Sequence, residues 1–130
     1  MTRLLLFILL FLSSAPAYAE WVKIGDQDQA RMIVYVDQDT IHRKGELVKM
    51  WHLDDFKTVQ TVEDNSYLSI KTQQEYDCAA DRFRALVFTW FSDNMGLGTA
   101  IYSVSYEQSW EPVHPDSVGQ VLWNVACGKK

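Results

Sequence analysis

His42, His52 and His114 stand singly along the chain, and only His52 has carboxylates, Asp54 and Asp55, close enough in sequence for acid–base work. On a strand His52 and Asp54 share a face while Asp55 points the other way, so this trio reads as a solvated edge. There is no His-x-x-x-His pair and no HExxH run, which leaves zinc without ligands at the spacing it needs. Asp37-x-Asp39 begins like a calcium loop, but the later ligands are missing, and a turn suits these residues. No Ser lies in a Gly-x-Ser-x-Gly elbow. Gly96-Leu97-Gly98 precedes a strand and not a helix N-terminus, so it makes no phosphate cradle. These absences point away from an enzyme and from any cofactor or metal. A small secreted hydrolase using scattered carboxylates remains the catalytic alternative. Binding chemistry has more to work with. Trp51, Tyr67, Trp90 and Trp110 are of the types that dominate interface hot spots and are candidates for an exposed aromatic patch, with burial in the core as the alternative. Lys71, Arg82 and Arg84 form a local basic spot beside Asp77 and Asp81. Those five residues, Trp51, Tyr67, Lys71, Arg82 and Arg84, are the candidate binding surface.

The start of the chain says where it works. Arg3 precedes the unbroken apolar run Leu4–Leu12, which Ser13, Ser14, Ala15 and Pro16 end, and Ala17-Tyr18-Ala19 is a small-x-small site. Those are the parts of a secretory signal. The run is far short of the roughly twenty apolar residues that span a bilayer. Residues 1–19 are therefore expected to be a signal peptide cut between Ala19 and Glu20, and residues 20–130 one domain. No Cys sits near the cut, so a lipid anchor is not expected. The formal charge of the chain is −5, and losing Arg3 makes the mature part more acidic still. An acidic domain is a poor match for nucleic acid or anionic lipid. Cys78 and Cys127 are the two cysteines, and an even count in an exported chain reads as a disulfide. It would close a loop of about fifty residues and constrain the unfolded chain by about 4 kcal/mol. Two separate buried thiols are the alternative.

Period-2 alternation sets the elements that must carry these groups. Strands are expected at Trp21–Ile24, Met32–Asp37, Leu47–Phe56, Tyr67–Cys78, Arg82–Phe91 and Thr99–Tyr106, with a brief extended piece at Thr40–Arg43. Turns are expected at Gly25-Asp26, Asp37–Asp39, Lys44–Glu46 and Asp93–Gly98. In Tyr67–Cys78 the even positions from Leu68 to Cys78 suit a core and the odd positions from Ser69 to Asp77 suit water. After Pro115 the period changes. Asp116 and Ser117 can cap a helix. Val118, Val121, Leu122, Val125 and Ala126 make one apolar stripe, and Gly128 stops it. The fold class is α+β and mostly β: an antiparallel sheet of about six strands with one C-terminal helix packed on it and pinned by the disulfide. One short helix covers only part of one face, yet Arg82–Phe91 is apolar on both. The sheet must curl into a half-shell or pair with a second copy, and the homodimer is the preferred expectation.

Several of these pieces occur together in a known family. Tyr35-Val36-Asp37 with Thr40-Ile41, Trp51, Asp54-Asp55-Phe56 and Tyr76-Asp77-Cys78 make its first half. Met95-Gly96-Leu97-Gly98, Trp110-Glu111-Pro112-Val113 and Ala126-Cys127-Gly128-Lys129 make its second. The mature chain resembles the surface-adhesin protein E family. The resemblance implies a six-stranded antiparallel sheet with a disulfide-linked C-terminal helix, a dimer, and a binding function toward host or envelope proteins. By analogy it places an adhesive surface in Val62–Leu86. The expected location is the periplasm or outer surface of a Gram-negative-type bacterium, with a periplasmic accessory protein of unknown partner as the alternative.

Overall fold

The computed structural model describes residues 19–27, 29 and 31–129. The expected leader, up to residue 18, lies outside the described residues. Seven strands and one helix follow in order: β1 (Val22–Gln27), β2 (Met32–Lys44), β3 (Leu47–Val62), β4 (Asn65–Asp77), β5 (Arg82–Phe91), β6 (Ala100–Val104), β7 (Glu111–Pro112) and α1 (Val118–Cys127). A 3₁₀ turn at Asn94–Gly96 sits in the β5–β6 loop. The strands form one antiparallel sheet in the order β1-β2-β3-β4-β5-β6, with β7 pairing the start of β5. This is the expected α+β class, a meander of hairpins closed by a helix.

Several strands run further than the alternation suggested. Asp37–Asp39 is not a turn but a bulge inside β2, where the register to β3 jumps between Asp37 and His42. Side chains replace the missing ladder bonds. The Asp37 carboxylate accepts the Asp39 N–H at 3.2 Å, the Thr40 hydroxyl donates to the Asp37 carbonyl, and the Trp51 N–H donates to Thr40 Oγ1 at 3.0 Å. Buried backbone groups must be paired, and short polar side chains pair them here without ending the strand. Gly25-Asp26 likewise does not end β1: both residues pair with β2, and the bulge lies just before them, between Lys23 and Gly25. In β3 a shift between Asp55 and Gln60 carries the strand on to Val62.

Cross-strand partners share a face. On one face Val48, Tyr76 and Phe83 form a row, joined in the core by Val34, Val36 and Met50 and covered by Leu122, Trp123, Ala126 and Cys127 of α1. Ser117 caps α1 by accepting the Gln120 N–H at 3.1 Å. Gly128 ends it in the left-handed region at φ 69°, where a Cβ would be strained. The disulfide joins Cys78, just past β4, to Cys127 at the end of α1. The buried side of the helix is Leu122, Trp123, Ala126 and Cys127, and Val121 of the expected stripe is 39 % exposed. Trp123, absent from that stripe, donates its indole N–H to the Asp77 carbonyl at 3.0 Å.

The odd positions of β4 correct the sequence reading as well. Ser69, Glu75 and Asp77 are buried, not in water. Each has a partner that makes burial tolerable. The Ser69 hydroxyl donates to the Asp93 carbonyl at 2.6 Å and accepts the Gly96 N–H at 2.9 Å. Glu75 and Asp77 hold arginines of β5. The β5–β6 loop and the run leading to β7 therefore lie on the face opposite α1, and β4 is covered on both sides.

Candidate binding surface

On the helix face, α1 reaches only the Tyr76 end of the sheet. The other end carries the cross-strand rows Thr72–Phe88–Val104 and Ile70–Trp90–Tyr102. The aromatics pack edge to face and stacked, as ring quadrupoles prefer. Tyr67 stacks on Trp90 at 4.4 Å between centroids, Phe56 meets Tyr67 edge-on at 5.8 Å, and Trp90 lies 4.9 Å from Tyr102. Tyr67 is buried, which raises its phenol above the usual range. It supports Trp90 from beneath and does not face solvent. Tyr102 remains 45 % exposed. Phe88, Trp90 and Tyr102 line a groove of about 380 Å3 whose far wall is Val62, Glu63 and Asn65.

The opposite face holds the cations. Arg84 Nη2 lies 2.7 Å from Glu75 Oε1 and its Nη1 3.3 Å from Glu107 Oε2, and Arg82 Nε lies 3.0 Å from Asp77 Oδ2. The Trp110 ring takes both guanidinium groups, at 4.4 Å for Arg82 and 4.3 Å for Arg84. Such stacking is favourable and fixes both side chains. Burial alone would raise the Asp77 carboxyl, but its hydrogen bonds from Arg82, Ala79 and Ala80 and the Arg82 charge outweigh that and hold it below the usual carboxylate range. The basic spot is thus neutralised by Glu75, Asp77 and Glu107. Asp81, expected to share in that, makes no ion pair among the described residues.

Trp51 and Lys71 come together on this same face. With Ala19, Trp21, Asp37 and Thr40 they line a hollow of about 250 Å3 beside the β2 bulge. Gly96 helps place Lys71, because a Cβ there would lie 2.3 Å from Lys71 Cε. The ammonium sits 5.3 Å from the Phe91 ring centroid. The structure thus splits the five sequence candidates three ways: Trp51 with Lys71, Arg82 with Arg84, and Tyr67 under Trp90. Trp21, Asp37 and Thr40 were missed as site residues, and the Asp-x-x-Thr pattern in a strand was the available signal.

His52 corrects the solvated-edge reading of the acid–base trio. It is 3 % exposed, in a central strand, with Nε2 3.7 Å from Asp54 Oδ1. Asp55 does point the other way and accepts N–H groups from Asn94 and Met95. No group of three or more His, Cys, Asp or Glu that could hold a metal occurs among the described residues.

Residues 21–128 match the family model described as surface-adhesin protein E. Among solved structures, the chain is similar to the selenomethionine form of Haemophilus influenzae protein E, with a TM-score of 0.62 at 13 % identity over 82 % of this chain and 85 % of that one. It is similar too to crystal form II of that protein, with a TM-score of 0.61 at 14 % identity over 82 % of this chain and 96 % of that one. No curated protein sequence matches. At such identity the structures speak for the fold alone.

Proposed function

The chain belongs to the surface-adhesin protein E family, and we propose that it is an exported, non-enzymatic binding module that engages a protein partner in the periplasm or at the cell surface. The observation that carries this reading is the aromatic row Phe88, Trp90 and Tyr102, left uncovered beyond the reach of α1 and opening on a groove. Large aromatics in a partly desolvated hollow are what interface hot spots are made of. Protein recovered from the native envelope should start at Glu20 on N-terminal sequencing and should co-purify with a partner identified by mass spectrometry. The Tyr102→Ala variant should remain folded by circular dichroism and lose that partner. Unchanged capture by Tyr102→Ala would remove the aromatic row from the proposal.

A homodimer is supported by the strand next to that row. β6 is the outer strand at its end of the described sheet, and Ala100–Val104 contains neither a charged side chain nor Pro. Those are the devices that keep edges from pairing. The opposite edge, β1, carries Lys23, Asp26 and a bulge. Two copies can meet along β6 and bury Tyr102. Sedimentation at micromolar concentration should then give about twice the mass of the mature chain. A monomer there would favour the curled sheet.

A further inference from the structure

Asp37 is the buried acid that no ion pair explains. It is 7 % exposed and lies in no ion pair among the described residues, although Glu75 and Asp77, buried to the same degree, each hold an arginine. One of its oxygens accepts the Asp39 N–H. That is a modest return for burying a carboxylate, which ordinarily requires a cation as well. Its surroundings supply aromatic walls. Asp37 stands opposite Trp51 across β2 and β3, and Trp21 lines the same hollow.

Trp21 and Trp51 stack on no other ring among the described residues. The space beside them is therefore not already taken by an aromatic partner. Lys71 also lines the hollow, but its charge is directed elsewhere. Its ammonium lies over Phe91, which pairs with Ser69, whereas Trp51 pairs with Gln73 on the other side of Lys71 along β4.

We propose that the hollow formed by Trp21, Trp51 and Asp37 is a binding site for a small quaternary-ammonium ligand. Indole is the strongest of the side-chain rings toward a cation, and the Asp37 carboxylate supplies the counter-charge. The β2 bulge, Gln38 to Ile41, opens the hollow at the one place where β2 and β3 lose register. With Ala19 in place the hollow measures about 250 Å3, room for a headgroup, and the cut before Glu20 leaves it more open. The site is on the face opposite the aromatic row and does not depend on protein binding there.

The test uses tryptophan fluorescence of the chain beginning at Glu20, titrated with choline and with 3,3-dimethylbutanol, its uncharged isostere. Choline should give saturable quenching, and the isostere should bind at least tenfold more weakly. Asp37→Asn keeps the oxygen that accepts the Asp39 N–H and should lose at least tenfold in choline affinity. Trp51→Leu should do the same, with circular dichroism confirming that both variants are folded. Equal binding of the two probes, full binding by Asp37→Asn, or no saturation at 50 mM choline would each overturn the proposal. A second preparation carries an acetylated N-terminus. Choline binding confined to that preparation would also overturn it, because the chain's own α-ammonium would then be the occupant.

Discussion

Cys127→Ser is expected to lower the unfolding free energy by about 2–5 kcal/mol, measured by chemical denaturation of both proteins under non-reducing conditions. The bridge spans a sequence separation of 49 residues, and its loss gives the unfolded chain the entropy of an open loop. The native side of the balance also suffers. α1 has ten residues, too few to hold a helix in water without tertiary contacts. Its contacts with the sheet are few and come from one side, through Leu122, Trp123 and Ala126. A cost of 2–5 kcal/mol corresponds to a fall in thermal midpoint on the order of 10 °C or more for a domain of this size. Amide exchange should quicken first in α1, while β3 and β4 keep their protection. A loss below about 1 kcal/mol would mean that packing alone seats the helix, and that the disulfide follows the fold instead of holding it.

The pairing of these cysteines was legible because two thiols in a chain read as exported leave few options. Arg82–Phe91, read as a central strand apolar on both faces from Leu86 onward, was legible and is β5 at both ends. Strand ends were not legible where polar side chains stand in for ladder bonds. Asp37, Asp39 and Thr40 carry turn chemistry, and only the facing β3 reveals that they serve a bulge. The two-sided burial of β4 was hidden for a similar reason. Ser69, Glu75 and Asp77 look solvated until the distant loop and arginines that satisfy them are in place. Trp51 and Lys71 were singled out by type alone. What unites them is the hollow made by that bulge and by the stretch before β1. Trp90 and Tyr102 form a surface because α1 stops short of them, and helix coverage is a tertiary quantity with no local signature.

The helix stripe held except at Val121, and that exception yields the second large prediction. Val118, Leu122, Val125 and Ala126 of the expected stripe pack on the core, but Trp123 faces the sheet as well and Val121 leaves it. Trp123 is 5 % exposed and carries both an apolar and a polar task. Its ring belongs to the core beside Tyr76 and Met50, and its indole N–H satisfies the Asp77 carbonyl. Trp123→Ala is expected to cost about 3–5 kcal/mol through the cavity it leaves. Trp123→Phe separates the two tasks. It keeps most of the ring area and orphans a buried carbonyl, so it should cost about 1–3 kcal/mol. The loss should spread beyond that one bond. The Asp77 carboxylate holds Arg82 and the Ala79 and Ala80 amides, so any shift of Asp77 loosens the turn between β4 and β5. The Trp123→Ala and Cys127→Ser losses should then fall short of additive when combined. Both act by freeing the same helix, and residues sharing one element couple. Denaturation of the two single variants and the double variant measures that coupling. Full additivity would show that Trp123 stabilises the sheet independently of where α1 is tied.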